Sequence, residues 1–183
     1  SSTRPDRSGA VTIGFIGSGN MARAIALGLA RPALFSDSGS GRAATLADAT
    51  EGEAVSTAQI ARRCETIFLC HKPKQLSEVA QALAGFSGKV VSVLAATDLG
   101  ALRAAYPKAK IVRTMPNIPV QYGEGVVAIA AESDPAAEID QLLGELGRLE
   151  RVPEAEFELA TAIGGCAPAF FALFVQELCA SAV

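Results

Sequence analysis

The 183-residue chain has no tryptophan, and only 5% of its residues are aromatic. Single-stranded nucleic acid is held on stacked aromatic platforms flanked by cations, so this composition excludes that class of partner. Charge points the same way. Sixteen Lys and Arg are mixed with nineteen Asp and Glu, for a net charge of -3, and no block of one sign offers a polyanion a basic patch. There is one histidine, and the four cysteines (Cys64, Cys70, Cys166 and Cys179) form no C-x-x-C pair. Such spacing supplies neither a zinc site nor a disulfide framework and reads as reduced thiols in a cytoplasmic protein. Residues 1–10, SSTRPDRSGA, lack the apolar core of a secretory signal and read as a flexible tail. The stretch 163–183 is apolar, but Gly164, Gly165, Pro168, Gln176 and Glu177 interrupt it and argue against a membrane span.

What the chain does have is alternation. Apolar runs at Val11–Ile16, Ala33–Phe35, Thr66–Cys70, Lys89–Leu94, Ile111–Thr114 and Val126–Ala130 are separated by segments with helical spacing. Leu76, Val79, Ala80 and Leu83 fall on one helix face. So do Leu99, Leu102 and Tyr106, and so do Ile139, Leu142, Leu143 and Leu146. Strand and helix in turn predict an α/β domain with a parallel sheet covered on both faces. From Glu154 the pattern is helical only, and Phe170, Phe171, Leu173, Phe174, Val175 and Leu178 surround the helix. A helix that is apolar all round needs cover on more than one side. The predicted organisation is a tail (1–10), an α/β domain (11–153) and the first part of a helical domain (154–183).

The junction VTIGFIGSGNMARAI carries the first chemistry. A strand, then Gly17-Ser18-Gly19, then a helix, is the layout of a dinucleotide cradle of the form G-x-G-x-x-A. Gly17 permits the tight turn, Gly19 admits a pyrophosphate to the backbone, and Ala22 keeps the helix against the strand. The helix N-terminus supplies free N–H groups and partial positive charge. After the second strand comes FSDSGSGRAAT. Asp37 stands where an acid binds the ribose 2′-hydroxyl of NAD. Ser38, Ser40 and Arg42 follow at once, and hydroxyls, backbone N–H groups and a guanidinium can together wrap an anion. The loop therefore reads as a 2′-phosphate pocket that selects NADPH over NADH, and Asp37 opposes that selection if it points inward.

Several further stretches, IGFIGSGNMARAI, FLCHKPKQL, VSVLAA, RTMPNIPVQYGEGVVAI and TAIGGCAPAFFALFVQEL, stand in the order and spacing of one family. Across residues 11–183 the chain resembles pyrroline-5-carboxylate reductase. The R-x-M-P-N-x-P and G-x-x-P-A-F segments are its specific part. The resemblance implies a Rossmann-type domain followed by the start of an all-helical dimerisation domain, with dimers that often assemble further. It implies hydride transfer from NADPH, or NADH, to the C=N carbon of 1-pyrroline-5-carboxylate, the last step of proline synthesis. By position, Ile16, Gly17, Ser18, Gly19, Asn20 and Met21 match the pyrophosphate turn. Cys70, His71, Lys72 and Pro73 match a segment beside the ribose and nicotinamide half. Thr57 falls near the adenine side, and Ala95 and Ala96 near the nicotinamide. Met115, Pro116 and Asn117 match the loop lining the nicotinamide pocket. His71 replaces the usual Val, Lys74 the usual Gln, and AIGGCAPAF stands where S-G-S-G-P-A-Y/F is typical. In the family the chain runs on past the position of Val183, and that later part holds the substrate carboxylate.

The chemistry asks little of the protein in acid or base. A cyclic imine can be protonated before it binds, so the site needs orientation and an anion anchor. No catalytic acid is assigned. His71 is read as an imidazole packed beside the cofactor, with a proton role as the alternative. Lys72 either pairs with a phosphate or ribose or snorkels at the surface, and Asn117 bonds either backbone or carboxamide. Two other functions remain open: another small NADP reductase, such as a deazaflavin-dependent one, and a non-catalytic NADP-sensing module. The Ser/Gly/Arg loop gives the first test. One or two charge-assisted contacts would favour NADPH by about ten- to a thousand-fold, and Arg42→Ala is expected to weaken NADPH much more than NADH. Equal weakening in parallel titrations would remove the 2′-phosphate reading.

Overall fold

The structure, a computed structural model, describes residues 12–130, 132–134 and 137–181. The tail 1–10 and Val11, the first residue of the first predicted strand, lie outside the described residues. Eight strands form one sheet: β1 (Ile13–Ile16), β2 (Leu34–Ser36), β3 (Glu53–Ala54), β4 (Thr66–Leu69), β5 (Lys89–Ser92), β6 (Lys110–Pro116), β7 (Gly125–Ala130) and β8 (Gly147–Val152). Their order is β3-β2-β1-β4-β5-β6-β7-β8. The chain leaves β1 in one direction through β2 and β3, then returns to place β4 on the other side of β1. The strand order therefore reverses between β1 and β4, which is where open α/β sheets bind ligands.

Burial explains why these segments are strands. All four residues of β1 and of β4 are buried, as a central parallel strand requires. Phe15 stacks on Phe35 of β2 at 5.2 Å and on Phe68 of β4 at 4.9 Å, so one aromatic row ties three adjacent strands on a single face. That face packs against α1 (Asn20–Leu29), α2 (Arg42–Thr50) and α6 (Ala137–Gly144). The opposite face carries Ile16, Ile67, Leu69, Val90 and Ile111 under α3 (Thr57–Arg63), α4 (Leu76–Ala82) and α5 (Leu99–Ala105). The predicted three-layer Rossmann-type arrangement is what the residues build.

Two details differ from expectation. The sheet is not wholly parallel, because β6 and β7 pair antiparallel. Between them lies only the short 3-10 turn Ile118–Tyr122, and so few residues cannot make a parallel crossover. The strands β3 and β8 carry no apolar run. β3 is two exposed residues, and β8 reads GRLERV. Both are edge strands, where charge replaces apolar patterning.

The C-terminal segment is one continuous 28-residue helix, Glu154–Ser181, of mean hydropathy 1.6. It runs from a 3-10 turn (Glu154–Glu156) through α7 (Phe157–Thr161) and a π turn (Ala162–Cys166) into α8 (Ala167–Ser181). Its first turns are anchored. Phe157 is fully buried, and the buried Arg113 guanidinium lies 4.2 Å over its ring. Arg113 donates to Glu154 at 2.6 Å and to Glu158 at 3.1 Å. Glu154 also accepts from the Leu99 backbone N–H at 2.9 Å, capping α5. Beyond α7 the helix stands exposed. Gly164, Gly165 and Pro168 do not interrupt it, contrary to the expectation from sequence, because the wider π turn takes up the glycines and the missing proline N–H. By length and composition it is the one helix among the described residues able to cross a membrane.

Helix α1 approaches the turn 118–122 so closely that a Cβ on Gly28 would stand 2.0 Å from the Val120 carbonyl oxygen. Gly28→Ala gains helix propensity of about 1 kcal/mol but overpacks against backbone, at about 1–3 kcal/mol or more. A net loss of stability is expected, seen as a lower denaturant midpoint; an unchanged or higher midpoint would show that α1 and the turn separate freely.

Candidate nucleotide-binding site

At the reversal between β1 and β4, the loops after both strands meet in a cleft of about 200 Å³. Gly17 lies at φ +94, and a Cβ there would stand 2.5 Å from both the Cys70 carbonyl carbon and the His71 nitrogen. The turn thus needs glycine twice, for its backbone angle and for its contact with the β4 loop. Gly17 N donates to Ser36 O at 2.9 Å, and the Ser18 hydroxyl donates to the same oxygen at 3.2 Å. Gly19 is the N-cap of α1 and places no side chain over the helix end. Nothing lies within 4 Å of where its Cβ would be, so that end is open to the cleft.

The second wall comes from the β2 loop. Asp37 accepts from Gly39 N at 2.7 Å and Ser40 N at 3.1 Å through one oxygen. Its other oxygen accepts from the Ser40 hydroxyl at 2.9 Å and Ala43 N at 2.8 Å. These bonds, the one from Ala43 foremost, hold its carboxyl below the usual carboxylate range. Ser38, Arg42 and Thr57 line the cleft beside it, and the Ser36 and Thr57 hydroxyls are 3.2 Å apart. The Arg42 side chain is exposed and makes no ion pair among the described residues.

The third wall follows β4. Cys70 N donates to Ile16 O at 2.8 Å, and burial pushes its thiol above the ordinary cysteine range, which disfavours the thiolate. His71 Nδ1 lies 2.9 Å from the Lys72 carbonyl oxygen. A carbonyl only accepts, so Nδ1 carries the proton and Nε2 keeps its lone pair. Nε2 is buried without a hydrogen-bond partner among the described residues. Burial pulls the His71 pKa below 6.5, against the opposing effects of the Lys72 carbonyl and Glu78, and the ring is neutral at pH 7.

Of the residues expected from sequence, the cleft brings together Ile16, Gly17, Ser18, Gly19, Ser38, Arg42, Thr57, Cys70, His71 and Lys72. Asn20, Met21, Ser40, Pro73, Ala95, Ala96 and Asn117 do not line it. Met21 packs on the core beneath α1, and the Ser40 hydroxyl is turned to Asp37. Ala95 and Ala96 follow β5, and Asn117 follows β6, so they stand farther along the same edge of the sheet. The Asn117 amide oxygen accepts from Val126 N at 2.9 Å, which pins the turn to β7. Ser36, Gln75, Glu78 and Val79 also line the cleft and were not anticipated. Ser36 left a trace in the sequence, as a polar residue closing a buried strand.

Comparison with known proteins bears on the whole chain. Residues 12–96 match the family model described as NADP oxidoreductase, coenzyme F420-dependent. A pyrroline-5-carboxylate reductase of Treponema pallidum is 33% identical over 192 residues, covering 92% of this chain and 71% of that protein. The chain belongs to the pyrroline-5-carboxylate reductase family. The crystal structure of the Streptococcus pyogenes 1-pyrroline-5-carboxylate reductase superposes with a TM-score of 0.84 at 26% identity, over 96% of this chain and 71% of that one. A Plasmodium falciparum pyrroline carboxylate reductase with NADP bound shares the fold, with a TM-score of 0.82 at 24% identity over 94% of this chain and 69% of that one. The chain therefore spans about seven-tenths of these family members. It spans 45% of a Synechocystis pyrroline-5-carboxylate reductase that is 34% identical over 120 residues. The family-model match ends before Arg113–Pro119 and the late G-x-x-P-A-F segment, so it covers only the nucleotide half.

The buried imidazole gives a pH test. Unfolded His71 titrates near 6.5 and the folded ring lower, so below that pH the unfolded chain binds more protons. The His71 contribution to stability is complete above pH 6.5 and is lost as pH falls toward the depressed folded value. His71→Asn should shrink the drop in melting temperature between pH 7.5 and 5.5; an identical drop in both proteins would show that His71 does not titrate there.

Proposed function

We propose that this chain carries the nucleotide half of a reductase that converts 1-pyrroline-5-carboxylate to L-proline with NADPH, NADH being the weaker alternative. The observation that carries the reading is the cradle at the β1/β4 reversal. There a Cβ-free turn, an open helix N-terminus and Arg42, which has no ion pair among the described residues, face one cleft. A dinucleotide fits this arrangement, and the NADP held by the Plasmodium relative supports the choice. When bound, the nicotinamide supplies the hydride for the imine carbon, while the ring nitrogen keeps the proton it gained in solution.

Each residue then has a limited task. Gly17, Ser18 and Gly19, with the backbone of Asn20 and Met21, hold the pyrophosphate on the N-terminus of α1. Ser38 and Arg42 hold the 2′-phosphate, and Thr57 borders the adenine side. Cys70 through Pro73 run beside the ribose. Ala95, Ala96 and the loop fixed by Asn117 border the nicotinamide farther along the sheet edge. The neutral His71 gives no proton, in keeping with an imine that arrives protonated.

The exposed helix completes the reading. Ile163, Phe170, Phe171, Leu173, Phe174, Val175 and Leu178 are each more than half exposed. Glu154–Val183 is read as the opening of a helical domain that a second copy covers, giving a homodimer or larger homo-oligomer. Glu177 on its surface suits a protein partner better than lipid. A cytoplasmic setting fits the free thiols of Cys64, Cys70, Cys166 and Cys179.

One experiment tests the whole. The full-length natural gene product that includes these residues is incubated with NADPH and pyrroline-5-carboxylate, proline is quantified, and the same sample is sedimented. Proline formation by a dimer or larger species is expected. NADPH binding without turnover would make the chain a sensing module, and turnover only with a reduced deazaflavin would make it a different NADP reductase. A monodisperse monomer, or flotation with lipid vesicles, would overturn the assignment of the helix.

A further inference from the structure

An acidic residue at the end of β2 ordinarily selects NAD, because a free carboxylate accepts from the ribose hydroxyls and repels a 2′-phosphate. Asp37 holds that place but is not free. A carboxylate has two oxygens and about four acceptor sites. Asp37 fills them with Gly39 N, Ser40 N, the Ser40 hydroxyl and Ala43 N, all within 3.1 Å. No capacity remains for a ribose diol.

These bonds also shape the loop. Gly39 and Gly41 sit at φ +91 and +76, and a Cβ on either would meet nothing within 4 Å, so conformation rather than crowding calls for glycine there. Gly41 is the N-cap of α2 and offers no capping side chain. Asp37 does that work from outside the helix by accepting from Ala43 N, and its charge is offset by the helix N-terminus. Arg42, the first residue of α2, is thereby held at the start of a capped helix. Its guanidinium is unpaired among the described residues and borders the same cleft as Ser38 and Thr57.

We infer that Asp37 is a positioning residue that favours NADPH, acting through Arg42 and Ser38 by fixing the loop that receives the 2′-phosphate. This rests on the nucleotide reading above, and it reverses the sign expected of an acid at this place. Removing a repelling carboxylate would strengthen NADPH binding; removing this one weakens it.

Nucleotide titration of the full chain, followed by fluorescence, separates the two. Asp37→Ala is expected to raise the NADPH Kd by about tenfold or more, as for loss of one good contact, while the NADH Kd stays within about twofold. The unchanged NADH value shows that the variant is folded. Asp37→Asn keeps an acceptor oxygen for the loop N–H groups and should fall between wild type and Asp37→Ala. In an Arg42→Ala background, Asp37→Ala should cost little further NADPH affinity, because the two losses are one. Tighter or unchanged NADPH binding in Asp37→Ala, or fully additive losses in the double variant, would overturn the inference while leaving the nucleotide reading intact. A wild-type chain that binds neither nucleotide would overturn both.

Discussion

The contact of Gly17 with the backbone of Cys70 and His71 is the constraint on which the site depends. It exists because β1 and β4 are neighbours, and they are neighbours because the chain turned back after β3. At 2.5 Å from where a Cβ would sit, the two loops leave no room for any side chain. The first-strand loop is thereby locked to the fourth-strand loop. The end of α1 then faces the cleft with its N–H groups unobstructed. Everything offered to a ligand, from the Ser36 carbonyl network to the neutral His71, is arranged around that lock.

A second constraint holds the far side of the sheet. Arg113 is 2% exposed, and a buried guanidinium is tolerated only when it is paired. Its partners come from the helix that follows β8, and one of them, Glu154, also caps α5. Strand, helix end and C-terminal segment thus share a single ionic cluster, with the Phe157 ring closing it against water. The strand bearing Arg113 ends at Pro116, directly before the loop pinned by Asn117. The same cluster therefore steadies the part of the sheet edge where Ala95, Ala96 and Asn117 stand.

Much of this was legible in the sequence, for identifiable reasons. Central strands such as IGFI and TIFL are buried on both faces and so are apolar throughout, which a single chain displays openly. The glycine turn was legible because φ and close approach leave one residue type. What escaped was set by tertiary context. GRLERV is a strand because β7 lies beside it, not because of its composition. The reversal of β7 follows from a loop too short for a helix, a count that apolar patterning does not make. The direction of Asp37 was undecidable from type and position, since the same carboxylate can face a ribose or its own loop. Only the placement of Gly39, Ser40 and Ala43 around it decides.

The Arg113 cluster bears on how independent the two parts of the chain can be. A sheet released at Pro153 would keep its buried cation and lose both carboxylates that neutralise it, along with the ring that shields it. Such a fragment carries a built-in fault. The sheet cannot reach its final packing during synthesis until the ribosome has released Glu154, Phe157 and Glu158, so the first turns of the C-terminal helix are a piece the sheet waits for.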